Sequence, residues 1–131
     1  MLNAAYGGGR EKALKAYRLS RVETASPGEL VLMLYNGSLK NMNDALSCID
    51  EKNYAGANTN LLRAQDIIDE LRGALNIDIG NVAKGLDAIY DFVYSSLLKA
   101  NLKKDTEPLE GALKVMTEVR DAWEEAIRNY G

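Results

Sequence analysis

The chain has 131 residues, of which 47% are hydrophobic and 27% are charged, a composition typical of one globular domain with a buried core. Its net charge of −3 argues against a nucleic-acid-binding protein, because such proteins usually present a basic face. The chain contains no histidine, which removes the commonest general base and the commonest metal ligand and so argues against an enzyme or a metal protein.

Neither a membrane segment nor a signal peptide is predicted. No apolar run approaches the roughly 18 residues of a transmembrane helix, and the first ten residues lack a charged segment followed by an apolar one. The chain has a single cysteine, Cys48, so it cannot form an internal disulfide. We therefore expect a cytoplasmic protein without cofactors or membrane insertion.

The first 21 residues are predicted to be a flexible segment preceding a domain formed by residues 22–131. Residues 7–9 are three glycines, which favour a flexible chain. Residues 10–19 have the pattern of a short helix anchored by Ala13, Leu14 and Tyr17. Because so short a helix is unstable alone in water, we expect it to order only by docking on the rest of the protein.

The first long helix is predicted over residues 27–51. Ser26 and Glu29 form the pattern of a capping box, and Pro27 suits the first helical position. Six apolar residues follow without interruption, from Leu30 to Tyr35. At about 100° per residue they pass more than once around the helix, so this helix must be covered on more than one side, either by the chain itself or by a partner.

Three further helices are predicted over residues 54–75, 82–102 and 106–129, each from an apolar stripe with helical periodicity. Apolar residues of the third helix span roughly two-thirds of its circumference, which is more than packing on one side requires. Connections of two to six residues favour antiparallel neighbours. The sequence therefore predicts an all-α fold, an antiparallel up-down four-helix bundle with a short N-terminal helix.

Several apolar residues fall outside the stripes or at their edges, and we interpret them as candidates for binding. They are Leu32, Met33, Leu62, Phe92, Tyr94 and Leu98. Each alone would be an ordinary exposed apolar residue, and Tyr90 and Tyr94 fit core packing as well as they fit binding. Together they predict grooves that accept the apolar face of a partner's helix. The carboxylates have ordinary surface spacing, and no catalytic set is present.

Seven blocks of sequence lie in a characteristic order at residues 16–17, 22–30, 32–37, 60–71, 86–94, 100–105 and 120–126. They include Ala16-Tyr17, Ser26-Pro27-Gly28-Glu29 and Asp121-Ala122-Trp123. Together they resemble the flagellar export chaperone family FliS over about residues 15 to 128. The sequence departs from the family at Ser95 and Ser96, where the family often has two arginines. This difference puts in doubt a contact made by basic side chains at these positions, but it does not affect the fold.

This resemblance implies a cytoplasmic, non-enzymatic chaperone that binds the disordered C-terminal segment of flagellin. Such a chaperone prevents premature polymerisation and delivers flagellin to the flagellar type III export apparatus, and a component of the export gate is a further candidate partner. The family's N-terminal tyrosine segment, matched here by Tyr17, covers part of the binding surface until flagellin displaces it. The predicted flagellin-binding residues are Leu32, Met33, Tyr35, Leu62, Tyr90, Phe92, Tyr94 and Leu98.

The alternative is a helical adaptor or structural bundle that associates with itself through the same apolar surface. A size that depends on concentration in the absence of flagellin would favour this alternative. We expect a monomer or a weak dimer.

Overall fold

The computed structural model describes Lys12, residues 25–75 and residues 81–130. Within this part of the chain the structure contains four long helices and no strand: α1 (Pro27–Asp50), α2 (Tyr54–Gly73), α3 (Asn81–Lys103) and α4 (Thr106–Tyr130). Their ends lie within two residues of the predicted ends. The all-α prediction is confirmed, whereas the predicted helix at residues 10–19 falls almost entirely outside the described residues.

The start of α1 has the predicted capping box. The hydroxyl of Ser26 accepts a hydrogen bond from the backbone N–H of Glu29 at 3.2 Å, and the carboxylate of Glu29 accepts one from the backbone N–H of Ser26 at 3.4 Å. Pro27 occupies the first helical position, where its missing N–H loses no hydrogen bond. These contacts fix where the chain enters the bundle.

Two short connections reverse the chain between α1 and α2 and between α3 and α4. In each a lysine adopts a left-handed backbone conformation, with φ of 61° at Lys52 and 52° at Lys104. Asn53 then caps α2 by accepting a hydrogen bond from the backbone N–H of Gly56 at 3.1 Å. Such tight reversals place the helices on either side of them next to each other in antiparallel orientation.

Side-chain contacts between helices show that the bundle is antiparallel. Near one end, Arg72 of α2 contacts Asp87 of α3 at 3.1 Å, and the indole N–H of Trp123 in α4 donates a hydrogen bond to the carbonyl of Gly28 in α1 at 2.9 Å. Each pair joins the start of one helix to the end of its neighbour. Each helix packs against the next one in the chain, and α4 also packs against α1.

The core runs along the bundle axis and receives side chains from all four helices. Its buried apolar members are Tyr35, Leu39, Met42, Ala45, Ile49, Ala57, Leu61, Ala64, Ile68, Leu71, Tyr90, Val93, Leu97, Ala100, Leu109, Ala112 and Met116. Tyr35 and Tyr90 share a hydrogen bond between their hydroxyls, which joins α1 to α3 across the core. Burial raises the pKa of both phenols above the ordinary value, so both hydroxyls stay protonated at neutral pH.

Candidate partner-binding site

An apolar groove runs along the surface between the first half of α3 and the last half of α4; we call it the α3–α4 groove. It has a volume of about 380 Å³ and is lined by Val82, Leu86, Ile89, Glu118, Val119, Ala122, Trp123 and Ala126. Val82 is 80% exposed. Glu118 is the only charged side chain among these lining residues. The lining is therefore chemically suited to the apolar side of a helix rather than to a polar small molecule.

Phe92 extends the α3–α4 groove by about one turn. It lies three residues after Ile89 and is 50% exposed, so it stands on the same side of α3 near the outer edge of the groove. From Val82 to Phe92 the groove is about 15 Å long, at about 1.5 Å per helical residue. That length fits a docked helix of about ten residues.

The groove exists because α4 carries small side chains at its edge. Ala122 and Ala126 are exposed and too short to cover the facing surface of α3. Leu86 and Ile89 consequently remain partly accessible, although both pack against the core. None of these lining residues was among the predicted binding residues, because those candidates were chosen outside the apolar stripes or at their edges. The available signal was the combination of a wide apolar arc on α3 with alanines on α4.

Behind the groove lies a smaller interior cavity of about 110 Å³ to which all four helices contribute. It is lined by Val31, Tyr35, Leu71, Ala74, Leu75, Leu86, Tyr90 and Trp123. Leu86 and Trp123 line both spaces and form the wall between them. Two contacts hold Trp123 in this wall. Its indole N–H donates a hydrogen bond to the carbonyl of Gly28, and its ring meets the ring of Tyr35 edge-on, with 6.1 Å between the ring centroids.

A second apolar surface lies across α2 and α3, towards the other end of the bundle; we call it the α2–α3 face. Its exposed members include Leu62, Leu98 and Leu102, which are 49%, 46% and 77% exposed. A hydrogen bond of 2.8 Å between Asn58 and Asn101 ties the two helices together beside it. The face presents these three leucines to solvent.

Leu32 and Met33 lie on the outer side of α1 and are partly buried. They border a small cavity of about 120 Å³ together with Ala25, Glu29 and Asn36. The predicted binding residues are thus divided among three surfaces: Leu32 and Met33 on α1, Leu62 and Leu98 on the α2–α3 face, and Phe92 beside the α3–α4 groove. Tyr94 is partly buried and packs against the core.

The structure places Tyr35 and Tyr90 differently from the other candidates. Tyr35 is 0% exposed and Tyr90 is 1% exposed, and their hydroxyls form a hydrogen bond with each other. They are core residues here and are not available at a surface groove. For Tyr90 this is the core packing that the sequence allowed as an alternative. Tyr17 lies outside the described residues.

The described residues provide no constellation for metal chemistry: no group of three or more Cys, Asp or Glu side chains among them is arranged to hold a metal ion. The carboxylates of Asp87 and Asp91 contact Arg72, whose pKa they raise. Among the helices of this part of the chain, none combines the length and apolarity needed to cross a membrane. What the arrangement offers chemically is apolar surface for another helix.

Comparison with known proteins identifies relatives along almost the whole chain. The family model described as flagellar protein FliS matches residues 10–130. The flagellar secretion chaperone FliS of Bacillus subtilis is 43% identical over 114 residues, covering 87% of this chain and 85% of the relative. The protein of the same name from Vibrio cholerae is 31% identical over 123 residues, covering 90% of each chain.

A solved structure confirms the fold independently. The crystal structure of a bacterial flagellar chaperone superposes with a TM-score of 0.73 and covers 92% of this chain and 98% of its own. Its sequence identity is only 16%, so this likeness supports the helical architecture alone.

Proposed function

Because the chain belongs to the flagellar protein FliS family, we propose that it is a cytoplasmic export chaperone that binds the disordered C-terminal segment of flagellin. Binding would prevent premature polymerisation and deliver flagellin to the flagellar type III export apparatus. The observation that carries the proposal is the α3–α4 groove, which leaves an apolar helix-sized surface open on an otherwise well-packed bundle. Catalysis has no part in this function.

The energetics favour a long partner segment over a short one. A disordered chain that folds on binding must offset the loss of conformational entropy with a large buried apolar area. The α3–α4 groove accommodates only about ten helical residues. We therefore propose that separate helical pieces of the same segment occupy the groove, the α2–α3 face and the surface around Leu32 and Met33.

The N-terminal segment has a regulatory place in this proposal. Tyr17 and the neighbouring apolar residues would cover part of the binding surface in the free protein, and flagellin would displace them. An intramolecular cover lowers the apparent affinity for the partner and shields apolar surface from nonspecific association. A component of the export gate would then recognise the loaded chaperone.

The proposal is tested by calorimetric titration with a peptide of about forty residues from the C-terminus of the cognate flagellin, together with circular dichroism. We expect one-to-one binding and a gain in helix, as coupled folding requires. No binding by a folded, monomeric protein would contradict the proposal.

Two matched variants test whether the α3–α4 groove is used. Ala122→Glu places a carboxylate among the lining residues, whereas Ala55→Glu makes the same change at an exposed position in the first turn of α2. We expect Ala122→Glu to weaken binding about tenfold or more, because the charge would be buried without a partner. Ala55→Glu should leave affinity unchanged. Equal affinities of the two variants would remove the groove from the binding site.

A second candidate function, self-association as a helical adaptor, is favoured by the α2–α3 face. Leu62, Leu98 and Leu102 present apolar surface to solvent, and exposed patches of this kind often mark protein interfaces. Sedimentation velocity without flagellin separates the two candidates. A dimer that dissociates when Leu98 is replaced by Glu would support self-association, whereas a monomer at all concentrations would exclude it.

A further inference from the structure

The hydrogen bond between Tyr35 and Tyr90 leaves one polar hydrogen of the core unused. Each phenol carries one hydrogen that it can donate, so a bond between the two hydroxyls uses only one of the two hydrogens. Among the described residues neither hydroxyl has another hydrogen-bond partner. Burial raises the pKa of both phenols, so both keep their hydrogens at neutral pH. One buried donor is therefore left without an acceptor, which is unfavourable.

This donor lies at the wall of the interior cavity. Tyr35 and Tyr90 both line that cavity, whose volume is about 110 Å³. The other lining side chains are apolar apart from Trp123, and the indole N–H of Trp123 already donates to the carbonyl of Gly28. Ala74 is exposed at the end of α2, whereas the two tyrosines are buried. The cavity thus extends from near the surface to the bonded hydroxyls.

The lining determines the chemistry of an occupant. None of the described lining residues is charged, so a charged molecule would lose its hydration without compensation. A buried water makes about three hydrogen bonds, whereas the only free polar side-chain group here is the hydroxyl pair. The volume exceeds the roughly 10–15 Å³ that one water needs and is below the ~150 Å³ of an apolar cavity that binds benzene. An uncharged ring of about six heavy atoms with one hydrogen-bond acceptor meets these conditions.

We propose that the interior cavity is a binding site for a small, uncharged and mainly apolar molecule whose single acceptor takes the unused hydrogen of the Tyr35–Tyr90 pair. Burial of the apolar part contributes the affinity, and the acceptor sets the orientation. The site is distinct from the α3–α4 groove, although Leu86 and Trp123 line both. It does not depend on flagellin binding, so failure of either proposal leaves the other standing.

The test compares two probes of nearly equal shape: cyclopentanone, which has an acceptor oxygen, and methylenecyclopentane, which has none. Each is titrated into the full-length protein with isotope-labelled valine and leucine methyl groups, observed by NMR. We expect both probes to shift the signals of Leu71 and Leu75, which line only the interior cavity. The signals of Val82 and Val119, which line only the α3–α4 groove, should stay in place. The proposal is overturned if neither probe moves the signals of Leu71 and Leu75.

The part played by the hydroxyls is measured with Tyr35→Phe combined with Tyr90→Phe, which removes both hydroxyls and keeps both rings. One neutral hydrogen bond corresponds to about a fivefold change in affinity. The ratio of the cyclopentanone affinity to the methylenecyclopentane affinity should therefore be about fivefold lower in the double variant than in the wild type. Comparing ratios cancels the difference in hydration between the two probes.

The single variants sharpen this measurement. Tyr35→Phe and Tyr90→Phe each retain one hydroxyl, whose hydrogen is then free for the ligand, so their ratios should stay near that of the wild type. A ratio that is unchanged in the double variant would show that the ligand does not use the hydroxyl hydrogen, and the proposal would be overturned.

A matched pair of variants tests the location of the probes. Leu75→Phe enlarges a side chain that lines the cavity, whereas Leu102→Phe makes the same change at a position that is 77% exposed and lines neither space. We expect Leu75→Phe to weaken binding of both probes about tenfold or more, because the added atoms take up space in the cavity. Leu102→Phe should leave both affinities unchanged. Equal affinities in the two variants would place the probes elsewhere and overturn the proposal.

Discussion

The hydrogen bond between the hydroxyls of Tyr35 and Tyr90 allows a quantitative test of how the core is held together. Both side chains are essentially fully buried, and each hydroxyl is the partner of the other. In Tyr90→Phe the hydroxyl of Tyr35 loses this partner, and an unsatisfied buried hydroxyl costs about 1–3 kcal/mol. The single change Tyr35→Phe should cost a similar amount.

The double variant should be far less destabilised than the sum of the two single variants. Replacing both phenols by phenyl rings removes both polar groups from the core, and such a replacement is close to neutral. We therefore expect an interaction free energy of about 1–3 kcal/mol in the double-mutant cycle. Urea unfolding followed by circular dichroism at 222 nm provides the three free-energy differences.

The result that would refute this reasoning is additivity. If the two losses simply add, the hydroxyls do not depend on each other, and each must find another partner in the folded protein. A change in the urea m value in any variant would instead indicate an altered denatured state or loss of two-state behaviour, and the cycle would have to be repeated with thermal unfolding.

Gly56→Ala should lower the free energy of unfolding, because the added Cβ would lie 2.9 Å from the sulfur of Cys48. Gly85→Ala, where nothing lies within 4 Å of the added Cβ, should raise it by about 0.5–1 kcal/mol. Urea titrations of both variants measure these changes, and changes of the same sign would contradict the packing argument. Burial raises the pKa of Tyr35 and Tyr90, so their contribution to the free energy of unfolding is fully present below pH 10, the ordinary tyrosine value, and is lost above it as the unfolded chain ionises. The free energy of unfolding, measured from pH 8 to 11, should be constant at first and then decline. A decline that begins below pH 9 would point to another group. Met33→Asp and Leu62→Asp should weaken binding of the flagellin peptide while helicity and melting temperature stay near those of the wild type; a large loss of stability would show that these side chains belong to the core.

The helices could be predicted because their signals are local. The capping box at Ser26 and Glu29, the asparagine cap at position 53 and the uninterrupted stripes each depend on residues close in sequence. Short connections then restrict the topology to antiparallel neighbours. Consequently the predicted bounds differ from the observed ones by at most two residues.

The candidate site was harder to predict because exposure depends on neighbouring helices. In the apolar run from Leu30 to Tyr35, periodicity alone could not show that Tyr35 would be fully buried while Leu32 and Met33 remain partly accessible. The α3–α4 groove likewise depends on alanines of α4 facing larger side chains of α3, a relation between residues about forty positions apart. The local sequence pattern does not show which side chains of two different helices face each other.

The left-handed conformation of Lys104 has a consequence for how the groove is made. It lets α3 turn directly into α4, so the two walls of the groove belong to one hairpin of consecutive helices. Bringing consecutive helices together closes a shorter loop, at lower entropic cost, than joining helices from opposite ends of the chain. The groove lies at the end of this hairpin away from Lys104, where side chains packed between the helices set the separation of its walls. Inserting two or three glycines after Lys104 should therefore leave the groove unchanged.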